Sequence, residues 1–323
     1  MRLQMDELLK CKIDGEVFDT EKDLHKHLRK HKIRIAEYYQ KYYPRYDKHD
    51  GSMIKFKNKD QYLSTEFNSK TNLRMWLKSI PAEEAKEFCK DILITRKEKK
   101  NLIYAPSQVE LRSIMSPPVQ FYNDLFGDYY RLCSQLGYEI KYKKFGDIVS
   151  GSEWDSSEYK IFIDTREQKP LRFSRGVEIK TLKYGDYSFS SKEATCNCYI
   201  ERKSLADLIG TLSGGYERFL NEIERSKEDN ANLIILVEAK FNDAMYFNHK
   251  VKSYNKDRVY KHVKATPEFI FHKVRKIIQD NPSVQFLFVN GRKEASRVIE
   301  RIFTCGCAYK TIDLQLAYDL KKI

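Results

Sequence analysis

Two hydrophobic textures divide the chain. Up to about residue 140, apolar residues recur three and four apart between polar ones, the spacing of amphipathic helices. In EKDLHKHLRKH, Leu24 and Leu28 fall four apart, as do His27 and His31, one turn along the same helix. Residues 46–70 are polar and rich in Gly, Asn and Lys, and read as a linker or a loose loop. Residues 71–100 read as helical, divided by Pro81, which suits the first turn of a helix. Acids open the run AEEAKEFCKDIL and the bases RKEKK close it, as the helix dipole favours. Ser107 with Glu110 makes a capping box, and a later helix stops at Gly137. Residues 141–158 turn polar and Gly/Ser-rich, which places the main boundary there.

Beyond that boundary short apolar runs alternate with helical ones. KIFID (160–164), VEIKTL (177–182), YSFS (187–190), CNCYIE (196–201), NLIILVEA (232–239) and VQFLFVN (284–290) read as strands, the third and fourth as a hairpin. LADLIGTL, YERFLNEIERS, EFIFHKVRKIIQD and RKEASRVIERIF read as helices between and after them. The pattern predicts an α/β domain with a mixed, largely covered sheet. KTIDLQLAYDLKKI fits an amphipathic strand or helix equally. The expected organisation is a small unit over 1–45, a helical region over 46–150, the α/β domain over 158–305 and a tail over 306–323.

Composition changes this picture in two ways. The 323 residues include 59 Lys and Arg against 46 Asp and Glu, a net charge of +13. Residues 1–150 carry +7 of it and 151–323 carry +6, so the excess is spread rather than held in a tail. Such a surface either binds polyanions or is simply solvated. No run is long and apolar enough for a membrane helix and no signal-peptide core opens the chain, so the expected setting is intracellular, away from membranes. The texture suggests a bacterial cytoplasm or a phage-infected host. Seven cysteines at scattered spacings predict no disulfide framework. Cys196 with Cys198 and Cys305 with Cys307 read as small strand or turn residues before they read as metal ligands.

The chemistry-bearing stretch is YGDYSFSSKEATCNCYIERKSLAD, residues 184–207. Glu201 and Lys203 lie two apart, on one face of a strand. Asp186 begins the preceding strand, and Asp164 ends another. Phosphodiester hydrolysis needs an activated water and stabilised charge on phosphate and leaving oxygen. A divalent cation supplies these, and Mg²⁺ takes a few carboxylates at strand ends. Charged residues make up 33% of the chain, so the spacing alone is weak; its position against apolar strands is what singles it out.

At these residues a resemblance appears. The run from Ile161 to about Ala239 resembles the nuclease domain of the XPF/Mus/Hef structure-specific endonucleases, a branch of the PD-(D/E)xK superfamily. Asp164, Arg166 and Glu167 match its D-x-R-E motif; Gly185, Asp186 and Tyr187 its G-D-Y; Ile200, Glu201, Arg202, Lys203 and Asp207 its (V/I)-E-R-K-x3-D. Arg218 matches an arginine in the following helix and turn. Residues 240–304 follow the family more weakly. The resemblance implies a restriction-endonuclease-like fold and a metal-dependent DNA endonuclease acting on branched or flapped DNA or at single/double-strand junctions, in repair, recombination or replication. It implies Mg²⁺ or Mn²⁺ held by Asp164, Asp186 and Glu201, with Lys203 assisting the water. It gives supporting or DNA-contacting roles to Arg166, Glu167, Arg202, Asp207 and Arg218. Glu167 is equally read as a structural partner of Arg166. Pairing of two copies through this domain is a further implication. The helix-hairpin-helix modules that often follow the nuclease have no counterpart in the roughly 20 residues after Phe303, so DNA recognition is expected to lean on the N-terminal half.

In that half, CKIDGEVFDTEKDLHKHLRKH resembles a two-Cys two-His zinc finger with Cys11, His27 and His31 at ligand positions and Phe18 and Leu24 in its small core. Asp14 stands where the second Cys belongs. The segment reads as a Zn²⁺ site with an oxygen ligand, or as a finger held by its core without metal; His25 lies off the ligand face. Residues 105–140 resemble, more loosely, helical repeats attached to homing endonucleases, through Pro106, Ser107 and Gln108, then Phe126, Gly127 and Tyr129, then Leu136 and Gly137. A plain helical linker explains them equally, as a solvated helix end explains Arg96, Lys97, Lys99 and Lys100. Residues 250–266 interleave bases with aromatics, suiting either a grip on unpaired DNA or a solvated loop. Two rival functions remain: a sequence-specific homing or restriction-like endonuclease, and a non-catalytic DNA-binding scaffold.

Overall fold

The computed structural model describes residues 9–144, 159–191, 197–247 and 264–323. The expected linker beyond residue 144, Cys196 and the basic-aromatic stretch up to residue 263 lie outside them. The chain forms two units, residues 1–85 with 115–117, and residues 86–114 with 118–323.

The first unit opens with a bridge between Lys10 and Val17, followed by helices α1 (Glu21–His27) and α2 (Ile35–Tyr42). Thr20 caps α1 by accepting from the Asp23 amide. Cys11, Leu24, Leu28, Tyr38, Tyr39, Ile54 and Tyr62 form its core. Helices α3 (Lys59–Ser64) and α4 (Lys70–Ser79) complete it. The stretch 46–70 is therefore packed rather than loose. Its polar residues are spent internally: buried Asp47 accepts from the Asn68 amide (2.6 Å) and Asn72 Nδ2 (2.8 Å). A polarity-based reading cannot tell such internal hydrogen bonding from solvation.

Pro81 precedes α5 (Ala82–Lys100) as expected, and the second unit begins within this helix at Lys86. Then come α6 (Gln108–Arg112), α7 (Val119–Phe126) and α8 (Tyr129–Gln135). The Ser107–Glu110 capping box forms, and Gly137 takes a positive φ after α8. Six strands make one sheet: β1 (Tyr159–Asp164), β2 (Val177–Lys180), β3 (Tyr187–Ser191), β4 (Cys198–Lys203), β5 (Asn232–Val237) and β6 (Val284–Phe288). Their order is β2-β1-β3-β4-β5-β6. β3 runs antiparallel to both neighbours, while β1–β2 and β4–β5–β6 are parallel. This mixed sheet flanked by helices, with a helical N-terminal region, is the fold class expected from the sequence.

Helices α9 (Leu205–Ser213), α10 (Tyr216–Glu228), α11 (Phe241–Met245) and α12 (Pro267–Asp280) cover one face through Leu208, Phe219, Phe271 and Ile277. Helix α13 (Arg292–Thr304) covers the other through Val298, Ile302 and Phe303. Both faces being covered explains why β5 and β6 are nearly all apolar. Cys11, Cys89, Cys133, Cys198 and Cys305 are buried. Among the described residues no helix is long and apolar enough to cross a membrane.

The ambiguous C-terminal run is helical: a 3-10 turn over Gly306–Thr311, then α14 (Leu314–Asp319). It cannot extend the sheet, because the Gln315 side chain occupies the β6 edge, accepting from the Phe288 amide (2.8 Å). Asp313 and Asp319 anchor α6. Asp313 accepts from the Gln108 amide (2.6 Å), and Asp319 from Gln108 Nε2 (2.7 Å) and Arg112 Nη1 (2.6 Å). Gln279 brackets Tyr104, accepting from its N–H (3.3 Å) and donating to its carbonyl (3.1 Å). Leu314 is fully buried in the core beneath the sheet. We expect Leu314→Ala to lower unfolding free energy by about 2–5 kcal/mol, read as a shifted urea midpoint; an unchanged midpoint would show that this segment adds nothing to the fold.

Candidate active site

The antiparallel pairing of β3 with β4 sets Tyr187 opposite Ile200, so Asp186 and Glu201 come side by side at the strand ends. The approach is tight. Gly185 takes φ +61°, and a Cβ there would lie 2.8 Å from the Ile200 carbonyl oxygen. Beyond it the Asp186 N–H donates to Ile200 O (2.8 Å), and the Asp186 carbonyl accepts from the Asp164 N–H (2.9 Å). The Arg202 N–H donates to the Asp186 carboxylate (2.7 Å). Three strands thus deliver Asp164, Asp186 and Glu201 to one place.

That place is a cleft of about 410 Å³ lined by acids Asp164, Asp186, Glu201 and Glu222 and by bases Arg166, Lys183, Lys203, Arg218 and Arg225. Strand alternation puts Glu201 and Lys203 on the cleft side, where Lys203 Nζ donates to Glu201 Oε1 (2.8 Å). Burial, and then the nearby Glu201 carboxylate, push Asp186 up to about 7. Burial and Glu201 likewise raise Glu222.

The other expected residues separate by what they touch. Asp164 accepts four hydrogen bonds, from Arg166 N (2.8 Å), Nε (2.7 Å) and Nη2 (3.1 Å) and from the Leu182 amide (2.7 Å). Burial raises its pKa, but the Arg166 and Leu182 hydrogen bonds outweigh that and hold it below the usual value. These bonds use all its lone pairs and aim Arg166 into the cleft. Glu167 pairs with Arg202 (2.9 Å) rather than with Arg166, correcting that alternative. Arg202 alternates to the opposite face from Glu201 and also bonds Glu238 (3.1 Å), an acid only 1% exposed. Asp207 accepts from Ser204 Oγ (2.6 Å) and so helps cap α9; it is not among the cleft-lining residues. Arg218 lines the cleft.

Sequence reasoning missed Glu222 and Glu238. Glu222 lies four residues beyond Arg218 on α10, hence on the same helix face, and that spacing could have found it. Glu238 directly follows apolar β5, where an acid has a reason only if it is paired.

A cation fits this donor set. Asp186 and Glu201 are adjacent carboxylates whose repulsion is part of what raises Asp186, and hard oxygen donors suit Mg²⁺ or Mn²⁺. Asp164 stands beside this pair with its carboxylate accepting from Arg166 and the Leu182 amide.

Residues 163–302 match the family described as the ERCC4 domain. This match covers the sheet except for the start of β1, together with the cleft and most of the surrounding helices, and it supports a nuclease domain over these residues. Two solved structures are similar in part. One, XPF from Aeropyrum pernix in complex with DNA, is 19% identical with a TM-score of 0.33, over 44% of this chain and 62% of that one. The other, XPF from Aeropyrum pernix, is 18% identical with a TM-score of 0.32, over 50% and 68%. No curated protein matches the chain. Neither the zinc-finger likeness nor the homing-endonuclease likeness has a counterpart in these matches.

The four expected zinc-site residues do converge. Ligand atoms of Cys11, Asp14, His27 and His31 all lie within 4.8 Å of one another. Asp14 Oδ2 is 2.9 Å from Nε2 of both His27 and His31, and those nitrogens are 3.0 Å apart. The Glu16 amide, opposed by desolvation, and then contacts from Cys11 and the two histidines hold the Asp14 carboxyl well below the usual range. His25 turns away to Tyr39 Oη (3.2 Å).

Two predictions follow from the cleft. Gly185→Ala should cost about 1–3 kcal/mol of stability and displace Asp186, read as a lower thermal midpoint with lowered cleavage. The second concerns pH in the chelator-treated protein. Asp186 titrates near 3.8 when unfolded and near 7 when folded, so folding favours its protonated form. Its contribution to stability is complete below pH 4 and lost as pH rises through 7. Asp186→Asn should therefore raise the thermal midpoint more at pH 8 than at pH 5, the gain growing by at most about 1.4 kcal/mol per pH unit in between. A gain independent of pH would show that Asp186 is not strained in its charged form.

Proposed function

We propose that the chain is a divalent-metal-dependent DNA endonuclease that hydrolyses phosphodiester bonds in branched or flapped DNA. The observation that carries this is the meeting of Asp186, Glu201 and Lys203 in one cleft within the region that matches the ERCC4 domain. Asp186 and Glu201 would hold the cation, which when bound activates water and neutralises charge on the phosphate. Lys203 fixes the Glu201 carboxylate through its 2.8 Å contact and directs its remaining N–H groups toward the cleft. Arg166, clamped by Asp164, together with Arg218, Lys183 and Arg225, supplies cations for the strand's phosphates. The Arg202–Glu167–Glu238 pairs hold β4 from the far side. Preference for branched DNA rests on the motif resemblance, as does pairing of two copies through this domain.

The test is cleavage of end-labelled flap, fork, four-way junction, duplex and single strand with Mg²⁺, Mn²⁺ or EDTA. Metal-dependent cutting of branched DNA, reduced at least about 100-fold in Asp186→Asn and Glu201→Gln, is the expected result. Cutting of plain duplex at fixed sequences would favour a sequence-specific nuclease. Tight binding without cutting would favour a scaffold.

The same reading assigns Zn²⁺ to Cys11, Asp14, His27 and His31. Two imidazole nitrogens and a carboxylate oxygen within 3.0 Å of one another have the spacing of a shared cation, and the set suits tetrahedral zinc. One zinc per chain by elemental analysis, lost in His27→Asn together with a lower thermal midpoint, is expected. Metal-free protein with a midpoint indifferent to chelator would leave a hydrogen-bonded cluster instead.

A further inference from the structure

A second charged pocket lies within the larger unit and shares no lining residue with the cleft. Its volume is about 260 Å³, and its walls are Arg96, Lys100 and Leu102 from the end of α5 and beyond, and His272, Arg275, Lys276, Gln279 and Asp280 from α12. The spacing explains the wall: Arg96 and Lys100 are four apart on one helix, and 272, 275, 276 and 279 form one face of the other. Lys97, one residue on from Arg96, instead donates to the carbonyls of Leu136 (3.1 Å) and Gly137 (2.5 Å) and closes the end of α8. The basic run at the end of α5 thus splits into a structural lysine and two cations facing a pocket.

The pocket brings like charges together. Burial, and then the nearby Arg96, bring Arg275 down to about 10. Two acids oppose this: Glu110 acts on Arg275, and Asp280 pairs with Lys276 (2.9 Å). Arg275 Nη1 spends itself on Ser113 Oγ (3.0 Å), while Gln279 holds Tyr104 and Glu110. Arg96 Nε is buried and has no hydrogen-bond partner among the described residues. A buried guanidinium N–H without an acceptor costs free energy, and Arg96 is held at this wall together with Lys100, Arg275 and Lys276.

We propose that this pocket is a second nucleic-acid contact, taking a backbone phosphate of the DNA strand. An arginine pair matches a phosphate's oxygens. Among the described residues Leu102 is the single apolar wall and no Phe, Tyr or Trp lines the pocket, so cations dominate it and favour phosphate over a stacked base. The proposal rests on the reading of the chain as a DNA enzyme and adds a contact point outside the cleft.

The experiment measures affinity for labelled flap and duplex DNA against salt concentration, in an Asp186→Asn background so that nothing is cut. Arg96→Gln with Lys100→Gln should weaken binding several-fold on both DNAs. It should also flatten the plot of log Kd against log salt by about one to two units. The charge-keeping pair Arg96→Lys with Lys100→Arg should restore most of both. If the double variant does not fold, Lys100→Glu at the exposed helix end gives the same readout. Unchanged affinity and slope, while the parent binds DNA, would overturn the pocket alone. Stabilisation by inorganic phosphate that depends on Arg96, with DNA affinity unchanged, would also overturn it, making this a site for a free anion. A parent that binds no DNA would sink the endonuclease reading itself.

Discussion

The acidic cleft hangs on the main chain at Asp186. Its N–H is given to Ile200 on one side, its carbonyl receives Asp164's N–H on the other, and its carboxylate receives Arg202's N–H. These short bonds fix three strands against one another where Asp164 ends β1, Asp186 leads into β3 and Glu201 lies near the end of β4. Gly185 makes the arrangement possible, since a side chain there would collide with Ile200's carbonyl. A shift of one residue in the pairing would turn Glu201 and Lys203 to the far face and bring Arg202 into the cleft.

Holding carboxylates together costs stability, and the surrounding charges are arranged to bear it. Asp164 is neutralised by Arg166, and Glu167 and Glu238 by Arg202. What remains without full compensation is Asp186, with Glu201 and Glu222 near it, and there burial raises rather than lowers proton affinity. A residual imbalance of this kind, confined to one end of a rigid sheet, is what the proposed cation would relieve.

Helices α6, α7 and α8 are part of the same unit as the sheet. Gln108, Arg112 and Gln279 join them to α14 and α12 through side chain and backbone. Helix α6, buried over Gln108–Leu111, is thereby committed to this junction. The phosphate pocket then arises between α5 and α12 as a consequence of that junction rather than from a motif.

The sequence by itself determined the strands and most helices, because these depend on local patterns. Apolar runs bounded by turns marked β1 to β6, and Glu201-x-Lys203 needed only the two-residue alternation of a strand to share a face. The zinc-finger likeness named Cys11, Asp14, His27 and His31 as one group, and their ligand atoms do lie together. Tertiary structure alone decided how the remaining charges pair. Arg166 took Asp164 and Arg202 took Glu167, choices set by which strand lies beside which. It decided that 46–70 packs, because Asp47's partners stand about twenty residues away. It decided that the last segment is a helix, because Gln315 had already taken the sheet edge. It also decided that Arg96 faces a pocket while Lys97 closes a helix end, since only the position of α12 and α8 distinguishes two neighbouring bases on one helix.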